Sequence, residues 1–198
     1  MTYSPAAATT CALAIIRTAT ELAPSSRIVC AAAFTAADDA LSTRFDTRMA
    51  TVPPACSPEQ ALAHVAQLVP LGATVIIRNP RMPRGLVRHL TAGRPMPNPT
   101  DAEALRGLRG DLDVRAVNLP EQTLDWVSRY FGLYRASPRD LIAERARRSE
   151  DEAKALFLAH LFSAVSEQDR VRLAAGYQAW SALRKAAPIG AFGATEEF

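Results

Sequence analysis

The sequence predicts an α/β domain in which a mixed sheet is flanked by helices and followed by a helical C-terminal part. Two observations support this fold class. Apolar runs of strand length, separated by short turns, fill the N-terminal quarter, and one more lies near the middle of the chain. The C-terminal half instead carries apolar residues at helical spacing. The 198 residues are enough for one compact domain with its own core.

The N-terminal quarter predicts three strands. Residues 11–18 (CALAIIRT) and 28–35 are continuous apolar runs, and residues 41–49 alternate in part between apolar and polar. The connections between them are short, whereas a parallel crossover needs a dozen or more residues. We therefore expect the three strands to be antiparallel neighbours.

The middle of the chain predicts a helix followed by a buried strand. Ser57 has Gln60 three residues later, which is the spacing of a capping box at a helix N-terminus. The run ATVII at 73–77 is apolar on both faces, as expected of a parallel strand with helices on both sides. A short helix is predicted at 84–90 and a proline-rich loop at 91–100.

The C-terminal half predicts helices, with Ser137-Pro138 as a further helix start. The acid pairs Asp38-Asp39 and Asp111/Asp113 are interpreted as solvated carboxylates in turns. The predicted helices cover 101–108, 119–132, 150–164 and 166–186. The predicted domain organisation is a flexible arm at 1–10, a single domain at 11–186 and a flexible tail at 187–198.

Composition favours a cytoplasmic protein without a cofactor. The net charge is only +3, and charged residues make up 22% of the chain. The three cysteines are odd in number and have no CxxC spacing, which favours reduced thiols over a disulfide framework or a zinc site. No apolar run approaches the ~20 residues that span a bilayer, so no membrane partner is expected. No glycine-rich phosphate loop or nucleophile elbow occurs.

The segment LAIIRTATELAPSSRIV (13–29) resembles the opening of DnaQ-like 3′–5′ exonucleases of the DEDD class. In that family a buried strand ends in Asp-x-Glu, and a turn and a second strand follow. Arg17 and Ala19 stand at the two acidic positions. The resemblance implies an RNase H-like sheet of three antiparallel strands plus parallel strands.

Two later blocks extend the resemblance over residues 11–165. In ATVIIRNPRMPRGLVRHL (73–90), Asn79 matches the family's second motif, while Pro83 replaces its Asp. In ERARRSEDEAKAL (144–156), Arg147 takes the family's His position if Glu152 takes the place of the last Asp. A shift of one residue would use Asp151 instead.

The replacements imply that this member does not cut nucleic acid. The family's reaction uses two divalent ions held by four carboxylates, and only Glu152 or Asp151 survives. Arg17 would place a cation where two dications should bind, and a guanidinium cannot take up a proton at neutral pH. The sequence therefore predicts neither a catalytic residue nor a metal site.

The same arginines are candidates for binding phosphate without a metal, because a guanidinium fork matches phosphate geometry. The alternative is that they are solvated surface charges and that Asn79 is a turn residue. The candidate nucleic-acid-binding residues are Arg17, Asn79, Arg81, Arg84 and Arg147.

The leading hypothesis is a catalytically inactive, exonuclease-like subunit that binds nucleic acid, as a single strand or an end, or a partner protein through the tail, or both. The alternatives are a protein-interaction or structural module, an active nuclease with a rearranged site, and an unrelated α/β domain. The rearranged site would use Glu21, Asp38 or Asp39, and Glu152.

The aromatic residues of 119–134 are predicted to lie mainly in the core. Trp126 and Phe131 fall at helical spacing, which is typical of core residues. The alternative is that exposed rings beside Arg129 and Arg135 stack on bases.

Overall fold

A computed structural model describes residues 8–18, 27–38, 42–78, 101–134 and 141–186. The described residues form a five-stranded mixed sheet in the order β3-β2-β1-β4-β5. Strands β1, β2 and β3 are antiparallel, β4 is parallel to β1, and β5 is parallel to β4. The strands are β1 (Ala8–Arg17), β2 (Ile28–Asp38), β3 (Thr43–Thr51), β4 (Thr74–Arg78) and β5 (Asp113–Val117).

Helices pack on both faces of this sheet, which confirms the predicted α/β class and the helical C-terminal part. The described helices are α1 (Pro58–Gln67), α2 (Asp101–Leu108), α3 (Glu121–Phe131), α4 (Ile142–Arg147), α5 (Ser149–Ala164) and α6 (Glu167–Ala186). None of the helices in the described ranges has both the length and the apolar composition that a bilayer crossing requires.

The predicted capping box begins α1. The Ser57 hydroxyl accepts a hydrogen bond from the Gln60 backbone N–H at 3.2 Å, and the Gln60 side chain accepts from the Ser57 N–H at 2.9 Å. The predicted stop at Gly132 is also confirmed. Its φ of 65° lies in the left-handed region, and the next N–H, of Leu133, bonds back to the Ser128 carbonyl at 2.8 Å.

The two faces of the sheet have different cores. The face covered by α1 and α2 is built from small aliphatic side chains such as Val65 and Val75. The face covered by α3, α5 and α6 contains an aromatic cluster, in which Phe34 on β2 contacts Phe157, Tyr177 and Trp180 at centroid distances of 5.1 to 5.7 Å. Burial raises the pKa of Tyr177 to about 12.

One strand differs from the sequence prediction. The region of Asp111 and Asp113 was expected to be a turn, but Asp113 begins β5 and pairs in register with Thr74. The strand is short and lies at the sheet edge, and it buries Val114 while exposing Arg115. A five-residue strand with one buried apolar residue has too little alternation to be recognised from the sequence.

Other predictions fall at the borders of the described residues. Strand β1 begins at Ala8, so residues 8–10 of the predicted arm belong to the sheet. Helix α4 begins at Ile142. The start predicted at Ser137, the helix at 84–90, the loop at 91–100 and the tail at 187–198 lie outside the described residues.

Candidate functional site

A cleft of about 80 Å³ opens at the carboxyl ends of the neighbouring parallel strands β1 and β4. Open α/β sheets commonly bind ligands at this position, because the strand ends leave side chains and backbone groups that no further strand covers. Its walls come from β1, β4, α3, α4 and α5. Its polar and charged lining consists of Arg78, Tyr134, Arg145 and Glu152.

An arginine–carboxylate pair lies in this cleft. Arg145 on α4 places its Nε 3.6 Å from Glu152 Oε1 on α5, and the two side chains are 33% and 19% exposed. The chain turns at Arg148 between these two helices, and the turn brings residues seven apart in sequence together.

A second pair lies at the rim. Arg78, the last residue of β4, donates a hydrogen bond to Glu121 at the start of α3. Two glutamates therefore accompany the two cleft arginines. A phosphate entering the cleft would compete with these carboxylates for the guanidinium hydrogens.

The wall formed by α5 is held by a further charge network. Asp151 accepts a hydrogen bond from the Tyr134 backbone N–H at 3.3 Å and pairs with Lys154 at 3.4 Å. Arg148 lies over the Tyr134 ring at 5.6 Å. Asp151 thus joins the segment after α3 to α5, and it is not among the residues that line the cleft.

Cys30 on β2 is buried next to this cleft. Its thiol donates to the Ala146 carbonyl at an Sγ–O distance of 3.8 Å, and Ser149 beside it is fully buried. Burial raises the pKa of Cys30, although a hydrogen bond with Ser149 opposes the shift. The thiolate is the reactive form, so burial and the raised pKa favour a packing role for the Cys30 thiol.

Strand β1 supplies no acid to the cleft. Its residues that face α5 are Ala12 and Ala14, and Ala14 lines the cleft. Arg17, at the end of the strand, instead lines a groove of about 170 Å³ on the α1 side of the sheet. Arg27 lines the same groove and donates to the Pro54 carbonyl at 3.0 Å.

Of the predicted binding residues, the structure describes only Arg17 and Arg147, and these two do not lie in the same site. Arg147 is 75% exposed on α4 and pairs with Glu144. Neither it nor Arg17 lines the cleft that holds Glu152. Asn79, Arg81 and Arg84 lie outside the described residues.

Sequence reasoning missed Arg78 and Arg145. The sequence does contain a signal for Arg78 as a site residue, because it is a charged residue at the end of a strand that is otherwise apolar on both faces. Arg145 had none. Its approach to Glu152 depends on the turn at Arg148, which the sequence does not mark with glycine or proline.

Asp38 lies at the opposite end of the sheet. It ends β2 opposite Ala8, and its carboxylate binds Arg172 of α6 and the Thr43 hydroxyl. The hydrogen bond from Arg172 lowers the pKa of Asp38 below its ordinary value. The expectation of a solvated turn carboxylate was wrong, because Asp38 anchors α6 to the sheet.

Within the described ranges, no group of three or more His, Cys, Asp or Glu side chains is placed to hold a metal ion. The chain matches no protein-family model, no curated protein and no solved structure. The similarity to DnaQ-like exonucleases accordingly stays a prediction from short motifs.

Proposed function

We propose that this chain is a non-catalytic domain of RNase H-like fold that binds nucleic acid, as a single strand or an end, within a nucleic-acid-processing complex. The sheet supports the proposal, since three antiparallel strands joined by parallel strands is the arrangement that the DnaQ-like resemblance implies.

The observation that carries the proposal is the guanidinium of Arg145 beside Glu152. Glu152 is the acid that the resemblance retains, and its carboxylate faces a cation 3.6 Å away. A divalent ion at that carboxylate would be repelled by Arg145 at partly buried distance. The β1 residues that line the cleft are Leu13, Ala14 and Ile15, and they offer the carboxylate only aliphatic groups as neighbours.

The geometry argues against a rearranged nuclease site that includes Asp38 and Glu152. Asp38 pairs with Ala8 at the start of β1, whereas Glu152 shares the cleft with Ala14 near its other end. Six strand residues separate these positions by roughly 20 Å at ~3.3 Å per residue. Two-metal sites hold their ions about 4 Å apart, so the two acids cannot share one.

Affinity for nucleic acid is supported by the arginines at one end of the sheet. Arg78 and Arg145 lie in the cleft, and Arg17 and Arg27 lie in the groove on the other face of β1. Arg17 ends β1, Arg27 precedes β2 and Arg78 ends β4, and Arg145 on α4 reaches the same end of the sheet. They outnumber the two glutamates that pair with cleft arginines, Glu121 and Glu152. A strand that crosses this end could contact both groups through its phosphates.

The test is fluorescence anisotropy of a labelled single-stranded 20-mer with the purified chain in Mg²⁺, at several salt concentrations. We expect a salt-sensitive increase for the wild type. Arg17→Gln and Arg145→Gln should each weaken binding by about tenfold, since a charge-assisted hydrogen bond contributes roughly 1.5 kcal/mol. The slope of log affinity against log salt should fall by about 0.7 for each phosphate contact removed.

Arg44→Gln is the matched control. Arg44 is exposed on the edge strand β3, opposite Ala37 and hence near the other end of the sheet. It makes the same change in net charge without touching the proposed surface. Equal losses for all three variants would mean that binding depends on net charge alone and would contradict the assignment.

A protein-interaction module is the second candidate, favoured by exposed aliphatic side chains. Leu141 before α4 and Leu183 on α6 are 77% and 73% exposed. Under this alternative the chain binds no oligonucleotide at moderate salt. Deleting residues 187–198 would then remove a co-purifying partner, detected by light scattering as a fall in the mass of the complex.

A further inference from the structure

Helix α3 presents a pair of exposed aromatic rings. Trp126 and Tyr130 stack with centroids 5.4 Å apart and planes 20° from parallel, and they are 47% and 63% exposed. The prediction that Trp126 lies in the core was therefore wrong. Leu124 and Val127 fill the core side of this helix instead.

Contacts with a neighbouring helix fix the Trp126 ring in place. Phe162 on α5 makes a T-shaped contact with Trp126, with centroids 5.0 Å apart and planes at 83°. Phe162 is itself covered by the Arg170 guanidinium at 6.0 Å, and Arg170 also donates to the Phe162 carbonyl at 3.3 Å. A ring fixed in this way loses little conformational entropy when a second flat group stacks on it.

Two arginines lie near the rings. Arg129 is exposed, follows Trp126 by one helical turn and is next to Tyr130, and no ion pair involves it within the described residues. The acid nearest in the chain is Asp125, which precedes Trp126. Arg170 adds a second cation beside Phe162. The two aliphatic residues of α3, Leu124 and Val127, are buried, so the exposed face of this helix offers rings and a cation without aliphatic surface.

We infer that Trp126 and Tyr130 form a stacking platform for the bases of a single strand, with Arg129 contacting its phosphates. Every base has a flat π face, so stacking on aromatic side chains binds single strands with little sequence preference. The cations complement phosphate, which favours a nucleic-acid strand over a protein segment as the occupant. The inference rests on the proposed function for the class of ligand and adds a surface outside the cleft.

The experiment uses the chain's own fluorescence. The sequence has two tryptophans, and the other, Trp180, packs against Phe34 and Tyr177. In a Trp180→Phe variant the emission comes from Trp126 alone. We expect an unlabelled 12-mer of deoxythymidine to quench that emission, and the same strand in a duplex to bind at least about tenfold more weakly, because its bases are already paired and stacked.

Ring variants separate stacking from folding. Tyr130→Ala should weaken binding of the 12-mer by about 5- to 100-fold, the range for one stacked base, while Tyr130→Phe keeps the ring and should bind as the wild type does. Leu183→Ala is the control, since it removes an equally exposed apolar side chain from α6. Unchanged emission on saturation, or equal affinity of Tyr130→Ala and wild type, overturns the platform.

The outcomes also separate this inference from the proposed function. If Arg17→Gln and Arg145→Gln weaken binding while Tyr130→Ala does not, the result supports strand binding at the cleft and contradicts the stacking platform. If the strand quenches Trp126 but is shortened in Mg²⁺, the platform stands and the non-catalytic assignment falls. A wild-type chain that binds no strand at low salt overturns both, and leaves the rings as a protein-docking surface.

Discussion

Two arginine–carboxylate pairs lie at opposite ends of the sheet, and they differ in geometry. Arg172 on α6 binds Asp38 through two hydrogen bonds, one of them 2.6 Å long, in the fork arrangement that guanidinium and carboxylate favour. Arg145 meets Glu152 through a single approach of 3.6 Å, in a cleft. The first pair ties a helix to the sheet. The second pair has no such two-bond fork between Arg145 and Glu152. Guanidinium hydrogens of Arg145 therefore remain for a ligand, as the proposed binding role requires.

The largest expected effect comes from breaking the cleft pair. Glu152→Ala should lower the free energy of unfolding by about 2 kcal/mol, below the 3–5 kcal/mol of a fully buried pair because both side chains keep some contact with water. Arg145→Met combined with Glu152→Leu should cost less than the single variant, since no charge is then left without its partner. Urea unfolding at pH 7 measures both, and a double variant that costs as much as Glu152→Ala or more would contradict the coupling.

The Asp38–Arg172 pair at the other end of the sheet should stabilise the fold as a partly exposed ion pair does. Asp38→Asn should cost about 1 kcal/mol, the upper range for exposed pairs, because the geometry is bidentate. Arg172→Gln should cost a similar amount, and the two together should cost less than their sum. Additive costs in a double-mutant cycle would show that the contact contributes nothing.

The same pair predicts a dependence on pH. Because Arg172 lowers the pKa of Asp38 in the folded state, the contribution of the pair is complete above the ordinary value of 3.8. It is lost as the pH falls below 3.8 through the lowered folded pKa. The stability difference between wild type and Asp38→Asn should therefore be constant from pH 7 to 5 and close towards pH 3. A difference that widens on acidification would contradict the assignment.

The smallest effect is expected at His160 on α5. Burial, with a lesser contribution from Arg115, lowers the pKa of His160 below 6.5, so the folded state favours the neutral ring. As the pH falls through 6.5 the unfolded chain takes up the proton first, and the wild type loses stability. His160→Gln should lose less stability between pH 7 and 5.5, measured by thermal unfolding. Parallel curves for the two proteins would show that His160 is not responsible.

The frame of the fold was accessible from the sequence, because it depends on local patterns. The apolar runs of β1, β2 and β4 and the capping box at Ser57 are signals within a few residues of each other. Strand β5 was not predicted, because an edge strand needs only one buried face and Val114 is the one buried residue of this strand. Residues 8–10 of the arm predicted at 1–10 belong to β1, and the tail at 187–198 stays a prediction.

The site was less predictable, because its contacts join residues that no local pattern relates. The resemblance placed Arg17 where the family binds its metal ions, but the alternation of side chains along β1 turns it to the α1 face. Arg145 reaches Glu152 only because the chain turns at Arg148. Trp126 was assigned to the core from its helical spacing, and spacing does not say which of two faces is buried.

We propose that the chain holds a strand without cutting it, and the length of the bound strand gives the sharpest test of this proposal. A 5′-labelled single-stranded 20-mer would be incubated with excess protein in Mg²⁺ or Mn²⁺, sampled over hours, and resolved on native and denaturing gels. We predict a shifted band in the native gel and a full-length strand at every time in the denaturing gel. A ladder of shortened products that disappears in Glu152→Gln would contradict the claim and make Glu152 a metal ligand.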